Sequence, residues 1–146
     1  MQNPRQLYKE LGNLFYAIAA ADKVIRPEEK RTLHDEILFA WKHHDNSTDR
    51  FGSDRAFLIE FEFETLEDES VSAEKAFDLF ESYFKGHEAE IDKASRIKIF
   101  NSARHIAESV RKINHDELQY LVRLKTLMKL WSEFPSFQFP VDQSEF

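Results

Sequence analysis

The chain is predicted to be all-α, a bundle of six to seven helices that contains two pseudo-repeated helical hairpins. Three observations point there. Only three glycines and four prolines interrupt 146 residues, too few turn formers for a β-sandwich or barrel. Apolar residues recur at helical spacing through most segments. Finally, AIAAADKVIRPEEKRTL, residues 17–33, returns in degraded form as IAESVRKINHDELQYL at 106–121. A shift of 88 residues pairs Ile18 with Ile106, Ala19 with Ala107, Ile25 with Ile113, Glu29 with Glu117 and Leu33 with Leu121.

The elements follow in order. A first helix is expected from about Pro4 to Ala21, with Leu7, Leu11, Leu14, Phe15 and Ile18 on one face and alanines at 17, 19, 20 and 21 that admit a close neighbour. Pro27 suits the first position of a second helix, which presents Leu33, Ile37, Ala40 and Trp41 and ends near His43-His44-Asp45. Residues 45–54, DNSTDRFGSD, read as a loop. AFLIEFEFETL, residues 56–66, fits both a strand and a helix; a helix beginning after Ser53 or Asp54 is preferred, because no second strand-like run exists to pair with it. Its alternating glutamates are expected to face water and its phenylalanines the core.

Ser72 caps the next helix, which carries Ala76, Phe77, Phe80 and Phe84 and stops near Gly86. The helix over about 90–110 has an apolar face (Ile97, Phe100, Ala103, Ile106, Ala107, Val110) wide enough to mark a central helix. The last helix starts at Asn114 as N-cap with Glu117 at N3, and is expected to bury Leu121, Leu124, Met128 and Trp131. The aromatic tail 132–146 contains Phe134, Phe137 and Phe139 around Pro135 and Pro140, and is expected to be extended and packed on the body. Its length and the lack of a low-complexity linker make 1–146 a single domain.

Charge and composition exclude several functions. The net charge is -7, and residues 60–81 hold nine acids against Lys75 alone. No basic cluster suited to nucleic acid stands out. No apolar run reaches the roughly 18 residues of a membrane span, and the N-terminus lacks a signal-peptide layout, so a soluble cytoplasmic protein is expected. With no cysteine there is no disulfide, thiolate metal site or cysteine nucleophile. The six histidines show no i, i+4 pair, and the serines lack a glycine-rich elbow. No catalytic constellation emerges, so the chain is read as a non-enzyme. A small hydrolase using Asp22 and a glutamate would need a concave pocket around a carboxylate of raised pKa.

The candidate site lies in the first hairpin. Asp22 stands at a helix C-terminus, where the dipole disfavours an anion and Lys23 or Arg26 is needed to offset it, while Glu28 and Glu29 open the next helix. Their oxygens suit a hard divalent cation, Ca²⁺ or Mg²⁺, with Asp116 and Glu117 as the second copy. The alternative reading is that these acids are helix caps, since Glu29 and Glu117 both occupy N3. The spacing is not an EF-hand loop.

Ala20-Ala21-Asp22, Ile25 and Glu29 also carry a family resemblance. The segment is similar to the tellurite-resistance TerB-like family, whose hairpins have an Ala-rich helix end, then Asp-Gly, then an acid in the following helix. Lys23 replaces the glycine, and Val110-Arg111 replaces Asp-Gly in the second copy. The resemblance spans roughly residues 5–44 and 90–130. It implies an all-helical domain that binds a divalent cation through acidic residues, in proteins linked to metal or chemical stress, with no established reaction. The other function considered is a metal-free scaffold that meets an unidentified protein partner through its acidic face or aromatic tail. Oligomeric state is not legible.

Overall fold

A computed structural model describes residues 4–42, 52–110 and 112–133, with side chains of the second stretch described from Arg55 onward. The loop expected at 45–54 and the phenylalanines of the tail therefore lie largely or wholly outside the described residues. The fold is all-α. Six α-helices are present, and no strand occurs among the described residues: α1 Pro4–Ala19, α2 Pro27–Glu36, α3 Leu58–Asp68, α4 Ala73–Gly86, α5 Lys93–Glu108 and α6 His115–Leu127. A π-helical segment, Ile37–Trp41, extends α2, and 3₁₀ turns at Gly52–Phe57 and Glu88–Glu90 precede α3 and α5.

The central helix is α1, not α5. Eleven of its sixteen residues are buried, and it packs against α3, α4, α5 and α6. The cause lies in its small residues. Ala17 and Ala19 are fully buried, and a methyl group on Gly12 would stand 2.7 Å from both the Ile59 carbonyl oxygen and Glu62 Cβ. That separation lets α1 and α3 cross almost backbone to backbone. Phe15 of α1 packs in a core with Phe63, Phe77, Phe80, Phe84 and Phe100, all essentially inaccessible; each such side chain favours folding by roughly 1.5–3 kcal/mol through removal from water.

The segment 56–66 is helical, and its helical period corrects one expectation. Ile59, Phe63 and Leu66 point inward, whereas Phe61 is 67% exposed. A period of 3.6 cannot bury both Phe61 and Phe63 on one face. Trp131 is likewise exposed, because α6 ends at Leu127 and Lys129 adopts a left-handed φ of 60°. The turn brings Leu130 into the core instead.

Local signals set most helix ends. Ser72 Oγ accepts the Lys75 amide at 3.1 Å and caps α4; Asp92 Oδ1 accepts the Ser95 amide at 2.8 Å and caps α5. Asn114 and Glu117 form a complete capping box, with Glu117 N–H to Asn114 Oδ1 at 2.8 Å and Asn114 N–H to Glu117 Oε1 at 3.0 Å. A polar network ties the π-helical segment to α5. Trp41 Nε1 donates to Ser102 Oγ at 3.0 Å, Ser102 donates to Glu36 Oε1 at 2.6 Å, and His105 Nδ1 lies 2.9 Å from Glu36 Oε2. Lys98 Nζ donates to the Ala40 carbonyl at 3.1 Å, giving a partner to a carbonyl in the irregular turn. No helix among the described residues is long and apolar enough to cross a membrane.

Candidate carboxyl-pair site

Helix α1 gives way to a turn at Ala20, where Lys23 N–H bonds back to the Ala20 carbonyl at 2.8 Å and φ of Lys23 is 69°. Asp22 sits in that turn. Its Oδ1 accepts the Val24 amide at 3.1 Å, while Oδ2 accepts Arg26 Nη1 and Asn114 Nδ2, each at 3.0 Å. The compensating cation is therefore Arg26, and the Asn114 contact joins the α1–α2 turn to the start of α6. Burial pushes the Asp22 carboxyl up, but the Arg26 guanidinium and the Val24 and Asn114 donors outweigh it, so the group is held below the usual aspartate range.

Glu29 and Glu117 carry the less expected chemistry. Each is an N3 residue whose Oε1 accepts the amide of its N-cap, Arg26 at 2.7 Å and Asn114 at 3.0 Å. In α2 only this half of the capping box forms, because an arginine side chain has no acceptor. Both glutamates are nearly inaccessible, 1% and 3% exposed, and their carboxyl groups hydrogen-bond to each other. Two carboxylates cannot both stay ionised at such contact in a buried setting. Burial, followed by the charge and hydrogen bond of Glu117, pushes Glu29 up to about 7. Glu117 is also raised, chiefly by burial. The two titrate as a unit that holds a shared proton near neutrality.

The sequence-predicted acids thus divide. Asp22, Glu29 and Glu117 converge on the junction of the α1–α2 turn and the first turn of α2 with the start of α6, bridged by Arg26 and Asn114. Glu28 and Asp116 face solvent and do not join them. Among the described residues, no group of three or more Asp, Glu or His side chains is gathered closely enough to enclose a metal ion. The junction does contain a cavity of about 10 Å³, lined by Arg26, Glu29, Lys112, Asn114 and Glu117 beside Ala107 and Val110. It has room for about one water-sized atom.

Carboxylate oxygens are the donor type Mg²⁺ or Ca²⁺ takes; each glutamate already spends Oε1 on a cap amide, and the two carboxyls hydrogen-bond to each other, so a cation would have to take the place of the shared proton. Asp22 is committed to Arg26, so those two charges offset each other. The pair then carries one negative charge with its shared proton and two without it. Of the two cations the sequence offered to offset Asp22, the structure selects Arg26; sequence reasoning missed the bridge from Asn114 to Asp22 and the direct contact of Glu29 with Glu117. The available signal was that both glutamates hold the same N3 position. Ile25 and Ile113 are both partly buried against the core. No protein-family model, curated protein or solved structure matches the chain.

Proposed function

We propose that the chain is a non-enzymatic, cytoplasmic TerB-like helical domain whose working site is the Glu29–Glu117 carboxyl pair, where a divalent cation, Ca²⁺ or Mg²⁺, exchanges for the shared proton. The observation that carries this reading is a pair of buried glutamates, hydrogen-bonded to each other between the first turns of α2 and α6, in a setting that raises the affinity of both for a proton. What favours a proton there also favours a small cation, because either removes the repulsion between the carboxylates. Glu29 and Glu117 are the ligands, Asn114 and the Arg26 amide orient them, and the Arg26 guanidinium keeps Asp22 neutralised. The bound ion would lock the two hairpins together. Resemblance adds the link to metal or chemical stress.

The cavity beside the raised-pKa carboxyl, about 10 Å³, has no room for a substrate. The second reading is a metal-free scaffold, favoured by aromatic side chains that face solvent at Phe39, Phe61 and Trp131.

Calorimetric titration of chelator-treated protein with Ca²⁺, Mg²⁺, Mn²⁺ and Zn²⁺ tests the proposal. Saturable heat is expected for Ca²⁺ or Mg²⁺, with an enthalpy at pH 6 that varies with buffer ionisation because a proton leaves the pair. Glu29→Gln and Glu117→Gln should abolish it. Absence of heat with every ion at both pH 6 and pH 8 overturns the cation reading and leaves the scaffold.

A further inference from the structure

A second cavity of different character lies beside this junction. It is a cleft of about 560 Å³ where the end of α1, the α1–α2 loop and the α3–α4 turn meet Tyr120 of α6. That volume is in the range of small-molecule sites. Much of its lining is small and apolar, with Ala20, Ala21, Ile25 and Val71 beside the rings of Tyr16 and Tyr120.

The charged groups at its edge decide which ligand it suits. Both acids are already matched. Glu67 lies 2.8 Å from Lys30 Nζ, while Glu74 accepts Arg123 through both oxygens at 3.0 Å and the Tyr120 hydroxyl at 3.1 Å. The Val71 carbonyl accepts the Tyr16 hydroxyl at 2.7 Å. Lys23 differs from these. It is exposed, and its ammonium enters no ion pair or hydrogen bond among the described residues. Lys23 and Ser70, both lining the cleft, also have left-handed backbones at φ 69° and 54°. That conformation costs a side-chain-bearing residue energy.

We infer that this cleft binds a small organic carboxylate with an apolar body. The anion meets Lys23 Nζ and the hydroxyls of Ser70 and Ser72, and the body lies against Ala20, Ala21 and Val71 beside the two tyrosines. The unmatched lining charge is positive and the remaining hydroxyls can donate, so a carboxylate satisfies what is left unpaired, whereas an amine would have to displace an existing ion pair. The α1–α2 loop serves both sites by alternation. Asp22 and Arg26 face the carboxyl pair, and Lys23 and Ile25 line the cleft. Neither Glu29 nor Glu117 lines the cleft, so this inference stands or falls apart from the cation reading.

The test uses hexanoate as probe, with hexylamine and 1-hexanol as charge controls, followed by amide chemical shifts of the whole chain. Hexanoate should give saturable shifts at Lys23, Ser70, Val71 and Ala73. Lys23→Gln, at an exposed position, should weaken binding by about tenfold, the effect of one charge-assisted contact, without lowering the melting temperature. Ala21→Phe should block the cleft. The inference is overturned by any of three results: no saturable shifts with millimolar hexanoate, hexylamine or hexanol binding as tightly as hexanoate, or Lys23→Gln binding like the parent.

Discussion

Glu29→Gln gives the most direct test of the carboxyl pair, because it removes the titrating proton while keeping the helix cap. A glutamine at N3 retains a carbonyl oxygen to accept the Arg26 amide, now bonded at 2.7 Å, and its amide can donate to Glu117. The unmodified glutamate has a folded-state pKa raised from 4.5 to about 7. Folded protein therefore holds a proton that unfolded protein has lost, and stability must fall as pH rises from about 4.5 through about 7. The stabilisation is fully present below 4.5 and gone above the folded value. Converted at 1.36 kcal/mol per pKa unit, the loss approaches about 3 kcal/mol, an upper value because Glu117 shares the proton. Urea unfolding at pH 5, 6, 7 and 8 measures it. The parent should lose stability relative to Glu29→Gln by an amount that grows across this range, leaving the variant the more stable at pH 8. The histidine–glutamate pairs at His34–Glu60 and His105–Glu36 are common to both proteins, so the difference reports the Glu29–Glu117 pair. Parallel curves would refute the reasoning, since they would mean the carboxyl titrates alike in folded and unfolded chains.

Two further outcomes follow from the same geometry. Gly12→Ala places a methyl group 2.7 Å from the Ile59 carbonyl and from Glu62 Cβ, so α1 and α3 must separate; a loss of about 1–3 kcal/mol is expected in denaturant unfolding, and an unchanged midpoint would show that the crossing relaxes freely. Asp22→Asn keeps an oxygen for the Val24 amide but removes the charge and the second oxygen that accepts Arg26 and Asn114, and should cost about 1–2 kcal/mol at pH 7. Because Asp22 has a lowered pKa in the fold, that advantage is present above the unfolded value and disappears as pH falls through the folded one. An acid titration in which parent and variant keep a constant difference would contradict the assignment.

Much of the fold was legible because helix ends are local chemistry. Pro27 at N1, Ser72 and Asn114 at N-caps and Gly86 at the end of α4 act on amides or carbonyls within one turn, and the helices begin and stop there. The helical reading of 56–66 held for a related reason: a strand needs a partner, and none was available. The six cysteine-free amphipathic segments then had to bury their apolar faces against one another, which specifies an all-α bundle without specifying its centre.

Tertiary packing decided the rest. The 16-residue α1 became central because Gly12 and its alanines allow approaches that the bulkier apolar face of α5 does not. Phe61 and Trp131 moved outside once the helical phase and the turn at Lys129 were set. The site shows the same division. That Asp22 needed a cation, and that Glu29 and Glu117 share a cap position, was present in the residues themselves. That those two glutamates meet, lose water and compete for a proton depends on the first turns of α2 and α6, 88 residues apart in sequence, coming together. Contact at that sequence distance has no local signature. Burial of a carboxyl is a property of its surroundings, so its chemistry appears only after the chain has packed.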